Sequence, residues 1–333
     1  MKKYFIYFLF LIYSNVLLSW PGGGSGETND PYLIWDKYDL ENLNDSLEYY
    51  VNYGSGWSYN KHFRLMVSID NVNKMIAGDV FSGYFHGNGK KITVELENIL
   101  GCALFVALDY GGIIDSLTVD GYINVLPGSV MGSTVAGGAG ITTGISLNGG
   151  AIIHCVNNVI INLAFADQQI LGGIVSDNYS NGTISQCINN VDISGIDVIG
   201  GIAGRNIGGT ITNCINTGKI TATNSGSNLA GTGVYTGGIG GVVGEFLNNG
   251  QILNCVNLGT IIGQRNVGGI VGYSWGSPYN TVEITNCINY GFVKGLYQVG
   301  GIVGIMSITN VTNCVNAGVV EGEEDTGSIV GKE

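Results

Sequence analysis

A repeated Cys-x-Asn step constrains this chain more than any other feature of its sequence. A β-branched residue stands three places before and six places after every cysteine of the repeat. Recurrence of this kind indicates a repeat architecture built from one supersecondary unit. The six cysteines and the asparagines two places after them are Cys155, Cys187, Cys214, Cys255, Cys287 and Cys314, with Asn157, Asn189, Asn216, Asn257, Asn289 and Asn316.

The spacing of the repeats shows where the units differ. Successive cysteines are 32, 27, 41, 32 and 27 residues apart. The extra residues fall in two insertions, 222–238 and 273–281, and insertions confined to fixed points of a repeat indicate loops that project from a stack. Most units open with two small residues and an apolar pair, as in Gly172-Gly173-Ile174-Val175, Gly200-Gly201-Ile202-Ala203, Gly268-Gly269-Ile270-Val271, Gly300-Gly301-Ile302-Val303 and Gly327-Ser328-Ile329-Val330.

Short β-branched runs broken by glycine and asparagine, without a helical period, are typical of strands. A 27-residue unit with about three such runs predicts one winding of a parallel β-solenoid, so the chain is predicted to be all-β. Equivalent residues would then stack at about 4.8 Å and form inward ladders of Ile and Val. The pattern continues upstream with Leu117 in the cysteine position, which indicates that this position is apolar.

The sequence divides into three predicted regions. Residues 1–20 have two lysines and then an apolar run too short to span a membrane, which predicts a signal peptide and an exported chain. Residues 21–80 depart from the repeat and are predicted to form an entry segment that caps the stack, with a short helix in 35–50. Residues 81–333 are predicted to form the β-helix, beginning with a tight turn in 81–89. No second hydrophobic span follows, so no transmembrane segment is expected after cleavage.

Composition excludes several kinds of partner. The chain has 13 Lys and Arg against 25 Asp and Glu and a net charge of -12, so nucleic acid is not an expected partner. There is no Cys-x-x-Cys motif, and His62, His86 and His154 are scattered without metal-ligand spacing. No metal and no cofactor are predicted.

The repeats resemble a known family. The units GGIVGYSWGSPYNTVEITNCINYGFVKG and GGIAGRNIGGTITNCINTGKITA are similar to GLUG-type repeats of bacterial and protist surface proteins. The upstream segments NDPYLIWDKYDLENLN, KHFRLMVSID and FSGYFHGNGKKI are similar to the entry region found ahead of such repeats. The resemblance implies an exported right-handed parallel β-helix with a role in adhesion or surface display. It implies no catalytic function here, because the chain has no peptidase module.

The cysteine and asparagine ladders have structural interpretations. Buried free thiols are favoured over disulfides, since parallel stacked side chains keep their Cβ atoms too far apart for a bridge. The asparagines are expected to hydrogen-bond from winding to winding and to adopt the left-handed backbone of a corner, which is favoured over ligand binding.

Enzyme activity is not expected from the charged residues. The carboxylates Asp167, Asp177, Asp192, Asp197, Glu245 and Glu283 are not expected to share a position in the repeat, and neither Arg205 nor Arg265 is expected to have a recurring carboxylate beside it. The cluster at 321–325 is interpreted as a solvated edge that blocks aggregation.

The aromatic residues of one insertion are the candidate binding site. Tyr273, Trp275, Pro278 and Tyr279 are expected to be exposed and to contact a sugar or protein, with Tyr235 in the other insertion as a weaker candidate. The alternative is that they fold back over the apolar flank of the stack.

These features predict a secreted or cell-surface protein of adhesin-like type that presents loops to a host or cell-surface protein or glycan. A carbohydrate-active β-helix enzyme, either a polysaccharide lyase or a hydrolase, is one alternative. The other is a structural protein that associates end to end.

Overall fold

The computed structural model describes residues 20–49, 57–97, 103–125, 136–139, 141–145, 149–163, 169–223, 227–228, 235–279 and 281–333. Within these ranges almost all the regular structure is parallel β-strand, with one helix, Lys37–Tyr49. The predicted parallel β-solenoid is therefore confirmed. Residues 1–19 of the predicted signal peptide and the seventh cysteine, Cys102, lie outside the described residues.

The largest sheet, sheet 1, has 17 strands. Each later winding contributes two consecutive strands to it. Ile184 lies between Ile152 and Ile211 of the neighbouring windings, so like residues stack on like. The strands are Tyr32–Ile34, His62–Leu65, Ile69–Val72, Tyr84–Glu97, Gly112–Val125, Gly150–Ile153, Val156–Leu163, Gly182–Ser185, Ile188–Asn189, Thr210–Thr212, Ile215–Asn216, Gln251–Leu253, Val256–Asn257, Val282–Thr285, Ile288–Asn289, Thr309–Thr312 and Val315–Asn316.

Three further parallel sheets complete the windings. Sheet 2 has nine strands: Ala77–Phe81, Phe105–Leu108, Thr142–Ile145, Val175–Tyr179, Ala203–Ile207, Val243–Leu247, Val271–Trp275, Val303–Ser307 and Val330–Lys332. Sheet 3 has seven: Ala136–Ala139, Gln169–Gly172, Val198–Gly200, Ile239–Gly240, Arg265–Gly268, Tyr297–Gly300 and Glu324–Gly327. Sheet 4 has five: Ile193–Gly195, Ile220–Ala222, Ile261–Ile262, Val293–Lys294 and Val320–Glu321. A short antiparallel pair, Ser227–Asn228 with Tyr235–Thr236, lies in the first insertion.

The interior is a long apolar column. Ile184, Ile211 and Ile252 are completely buried in it, together with Cys187 and Cys214. A smaller core consists mainly of Ile and Val side chains of sheets 3 and 4, such as Ile199 and Ile261. Because burial of apolar surface contributes about 25 cal/mol per Å², these ladders are the main source of stability for a chain with few charges.

The paired glycines are required by close packing at the start of sheet 2. A Cβ atom on Gly200 would overlap the carbonyl oxygen of Ala203, and one on Gly201 would overlap the side chain of Asn216 and the carbonyl oxygen of Gly241. The pair therefore lets the chain fold tightly between sheets 3 and 2 and lets the asparagine ladder approach the backbone.

The left-handed corner residues differ from the prediction. In each repeat a residue with positive φ stands directly before the cysteine, whereas the asparagine two places after the cysteine does not have positive φ. This residue separates the two strands that each winding contributes to sheet 1. The residues are His154, Gln186, Asn213, Asn254, Asn286 and Asn313, and Ser116 occupies the same place before Leu117.

The predicted helix is present and is capped by Asp36. The Asp36 carboxylate accepts hydrogen bonds from the backbone N–H groups of Tyr38 at 2.9 Å and Asp39 at 3.1 Å, which satisfies two of the free donors of the first turn. Leu40, Leu43 and Leu47 recur at helical spacing and are buried. No helix among the residues that the structure describes is long and apolar enough to cross a membrane.

The parallel stacking begins inside the segment 21–80, since Tyr32–Ile34 pairs with His62–Leu65. Trp20, at the end of the predicted leader, is 7% exposed, and its ring lies 5.0 Å from that of Tyr32 and 5.7 Å from that of Phe63. The aromatic side chains of this segment therefore belong to the first windings.

The predicted tight turn in 81–89 is wrong. Tyr84–Glu97 is one continuous strand that pairs in parallel with Gly112–Val125. Its register shifts between His86 and Lys90, where Asn88 and Gly89 have positive φ. The glycine and asparagine let the strand pass a corner of the winding without reversing the chain.

Candidate functional site

The asparagine ladder is a continuous row of buried amides. Each side-chain Nδ2 donates to the Oδ1 of the next asparagine along the stack at 2.8 to 2.9 Å. From Asn189 onwards the same Nδ2 also donates to the carbonyl oxygen two residues further along its own winding, such as that of Gly218 for Asn216 at 2.9 Å. From Asn189 to Asn289 both amide hydrogens are thus used inside the protein, so this part of the ladder offers no donor to a ligand.

The cysteine ladder is equally inert. The six thiols are free, and the single hydrogen of each Sγ is shared between two backbone carbonyl oxygens, one two residues earlier and one in the preceding winding. Burial raises the pKa of Cys187, Cys214 and Cys255 well above the usual value. The thiols therefore stay protonated, and a protonated thiol is neither a nucleophile nor a metal ligand. No cluster of three or more potential metal ligands occurs within the described residues.

The aromatic candidates do not form one exposed loop. Tyr273 and Trp275 lie on the strand Val271–Trp275, so the loop begins only after Trp275. Tyr273 is 8% exposed, which corrects its expected exposure, whereas Trp275 is 53% and Tyr279 95% exposed. Tyr235 pairs with Asn228 in the short antiparallel pair, and its side chain lies outside the described residues.

Sheet 2 brings three charged residues and one aromatic residue from the sequence analysis into one row. Asp177 pairs with Arg205, Arg205 with Glu245, and Glu245 with Tyr273, each in the next winding. Arg205 Nε donates to Asp177 Oδ1 at 2.6 Å. The expectation that Asp177 and Glu245 share no position in the repeat and flank no arginine is wrong. The insertion at 222–238 lies between Arg205 and Glu245 and shifts the numbering there, whereas no insertion separates Asp177 from Arg205.

Burial controls the electrostatics of this row. Burial raises the pKa of Glu245 to about 7, and the negative charges of Asp197 and Asp177 act in the same direction while Arg205 opposes them. Burial alone would lower the pKa of Arg205, but its hydrogen bond to Asp177 raises it overall. The row thus combines a permanent cation with a carboxyl group that exchanges its proton near neutral pH.

Arg265 lies elsewhere. It begins a strand of sheet 3, with its guanidinium 4.6 Å from the ring centre of Tyr297 and its Nη1 donating to Gln298 at 2.9 Å. It therefore occupies a different position in the winding from Arg205.

A second row lies two residues further along the same strands. Tyr179, Ile207, Leu247 and Trp275 are paired from winding to winding. Because alternate residues of a strand point to opposite faces, both rows lie on the face opposite to buried Asn206. The Tyr273 and Trp275 rings are 6.2 Å apart and almost parallel. The eight residues of the two rows are called the outer face of sheet 2 below.

The structure also joins two of the histidines that the sequence left scattered. His62 Nδ1 and His86 Nε2 are 3.0 Å apart, and His86 Nδ1 lies 2.6 Å from Asp115 Oδ2. Sequence reasoning missed this group because its members belong to different windings. An alignment of Phe63, Phe85 and Ile114, which pair in register, would have placed His86 beside Asp115.

Comparison with known proteins agrees with the fold. Residues 198–221 match the GLUG motif, as the resemblance of the repeats predicted. The chain is a parallel β-helix protein that carries this motif. No curated protein matches the chain in a sequence search. The crystal structure of a protein described as a "putative immunoglobulin A1 protease" from Bacteroides ovatus is similar, with a TM-score of 0.52 and 18% identity over 94% of this chain and 85% of that one. At this identity the likeness concerns the fold.

Proposed function

We propose that this chain is an exported, surface-displayed binding protein of adhesin-like type, and that the outer face of sheet 2 contacts a host or cell-surface glycan or protein. The observation that carries the proposal is the half-exposed ring of Trp275, in line with Leu247 and Ile207 and next to Tyr273. Large aromatic side chains supply apolar contact area at binding surfaces.

The charged row supplies the polar part of such a surface. Arg205 and Asp177 are both less than a third exposed and are held by each other, so they are fixed in position before a ligand arrives. Fixed charges beside an exposed ring favour an ordered ligand with hydroxyl or carbonyl groups, since a preordered site loses little entropy on binding. The strands hold both rows at the spacing of the windings.

The test is a screen of glycans and host glycoproteins against the chain that begins at Trp20. Immunoglobulin A1 is included because the Bacteroides ovatus protein is named for it. Trp275→Ala is expected to weaken binding at least tenfold. Tyr290→Ala is the matched control, because this ring is 56% exposed and lies next to a strand of sheet 1. Tyr279→Ala tests whether the loop after Trp275, and not the strand face, contacts the ligand.

Equal binding by the wild type and Trp275→Ala would overturn the assignment of this face. Loss of binding in Tyr279→Ala alone would move the site to the loop. Circular dichroism melting of each variant verifies that the fold is retained.

A second candidate function is cleavage of a polysaccharide, and Glu245 favours it. A carboxyl group with a pKa of about 7, close to further carboxylates and an arginine, can act as a general acid near neutral pH. Release of reducing or unsaturated ends from acidic polysaccharides by the wild type, and its loss in Glu245→Gln, would support an enzyme. Binding without product release in both proteins would support the binding function.

A further inference from the structure

A row of four side chains crosses the first windings, far along the chain from the outer face of sheet 2. Thr28 Oγ1 lies 3.1 Å from His62 Nε2, and His62 Nδ1 lies 3.0 Å from His86 Nε2. His86 Nδ1 lies 2.6 Å from Asp115 Oδ2. The members come from the turn at Thr28 and from three neighbouring strands of sheet 1, which pair in register.

The direction of each hydrogen bond follows from Asp115. Burial alone would raise the pKa of Asp115, but its hydrogen bond with His86 lowers it overall, so this group is a carboxylate that can only accept. In the tautomer in which His86 Nδ1 donates to Asp115, its Nε2 is the acceptor, and His62 donates to it through Nδ1. His62 Nε2 is left as the acceptor of the Thr28 hydroxyl hydrogen.

The surroundings keep His62 neutral and in place. Partial burial lowers the pKa of His62, the neighbouring His86 and Arg64 act in the same direction, and Glu27 opposes them. Glu27 is partly neutralised by Lys61, whose Nζ lies 3.5 Å from its carboxylate. The ring of Tyr84 stacks on His62 with centres 4.3 Å apart.

The reactive end of the row is open to solvent. Thr28 is exposed, whereas His62 and His86 are partly buried. A hydroxyl hydrogen-bonded to a histidine that is oriented by a further acceptor is the arrangement by which a hydroxyl is made nucleophilic.

We propose that Thr28, His62, His86 and Asp115 form a nucleophilic site that accepts acyl groups from small carboxylic esters. Thr28 Oγ1 attacks the ester carbonyl carbon while its proton passes to His62 Nε2. The bond to the leaving alkoxide then breaks, and the alkoxide takes that proton and departs as an alcohol. Water attacks the acyl-threonine by the same route and releases the acid. His62 is the catalytic base, and His86 and Asp115 are positioning residues.

The experiment uses p-nitrophenyl acetate and the chain that begins at Trp20. Acetylation is located by peptide mass spectrometry, and p-nitrophenol release is followed as a function of pH. Thr28 is expected to be acetylated first, and Thr28→Ser is expected to retain the reaction. His62→Gln is expected to slow it at least 100-fold, the scale of general-base catalysis. The rate is expected to rise as pH increases through the pKa of His62, and Asp115→Asn is expected to lower the rate and shift this profile.

Thr93 is the matched control hydroxyl. It is partly exposed, and its hydroxyl donates to a carboxylate, Asp70 Oδ1 at 2.6 Å, without a histidine. Acetylation of Thr28 no faster than that of Thr93 would overturn the proposal, and so would an unchanged rate in His62→Gln that still melts like the wild type. Because Tyr290 lies far along the chain from these residues, next to the strand Ile288–Asn289, Tyr290→Ala is expected to be acetylated at Thr28 at the wild-type rate.

Discussion

Asn189 Nδ2 donates to Asn216 Oδ1 at 2.8 Å, and the same nitrogen donates to the carbonyl oxygen of Val191 at 2.9 Å. One side chain thus joins two windings and closes the turn of its own winding. Both asparagines are fully buried, so water cannot replace a lost partner.

Asn216→Ala is therefore expected to lower the free energy of unfolding by about 2–4 kcal/mol, since it removes two donated hydrogen bonds and the acceptor of Asn189. Urea denaturation measures the change. Asn190→Ala is the control, because this exposed amide also bonds to an asparagine in a neighbouring winding, Asn158 of the preceding one at 3.0 Å. This change is expected to cost less than about 0.5 kcal/mol. Equal effects would mean that burial of the ladder contributes nothing.

The corner before each cysteine offers a stabilising change. Gln186 is exposed and has φ of 56°, in a place where asparagine stands in four of the repeats. Gln186→Asn is expected to stabilise the chain by about 0.5–1 kcal/mol, since asparagine adopts the left-handed backbone more easily than glutamine. Thermal melting measures the shift. The reverse change, Asn213→Gln, is expected to destabilise the chain by a similar amount.

The thiol ladder is expected to be indifferent to redox conditions. Cys214→Ala is expected to cost about 1–2 kcal/mol for the lost sulfur contacts, equally in oxidising and reducing buffer. Labelling by a thiol reagent is expected only on unfolding, because burial raises the pKa of Cys214 well above the usual value. A destabilising effect of reductant on the wild type would show that the cysteines form disulfides.

Two substitutions in and next to the strand Val271–Trp275 compare a core residue with a surface residue. Ile270 is completely buried, and Ile270→Asp is expected to cost more than about 4 kcal/mol because it buries a charge without a partner. Trp275→Ala is expected to cost less than about 1 kcal/mol, since more than half of the ring is exposed. A loss of several kcal/mol in Trp275→Ala would show that this ring is part of the core.

The pH dependence of stability depends on Glu245. Its pKa is raised from 4.5 to about 7 in the folded protein, so between these values the folded state holds a proton that the unfolded state has lost. Stability from this group is complete below pH 4.5 and is lost as pH rises to about 7, a change on the order of 3 kcal/mol. Glu245→Gln removes this contribution. The unfolding free energies of the wild type and Glu245→Gln are compared at pH 4.5 and pH 7.5. The wild type is expected to lose stability between these values, and the variant is expected to depend less on pH.

Much of the fold could be predicted because the repeat is periodic. A β-branched residue three places before each cysteine can be buried in every winding only if the windings stack, and Ile184 and Ile211 are indeed paired and buried. The turn predicted in 81–89 failed because glycine and asparagine mark both chain reversals and corners, and the local sequence does not distinguish them.

The candidate site depended on register, which the sequence conceals. Asp177, Arg205 and Glu245 are separated by 28 and 40 positions, and only the pairing of their strands makes them neighbours. His62 and Asp115 are brought together in the same way, through His86.

By itself, the sequence determined the solenoid and its apolar ladders, because these depend on a pattern that recurs in every unit. The tertiary structure alone decided which charged and aromatic side chains share a face, where the left-handed corners lie and how deeply Tyr273 and Glu245 are buried. Each of these depends on contacts between windings, and insertions of unequal length shift the numbering of such contacts without changing their spacing.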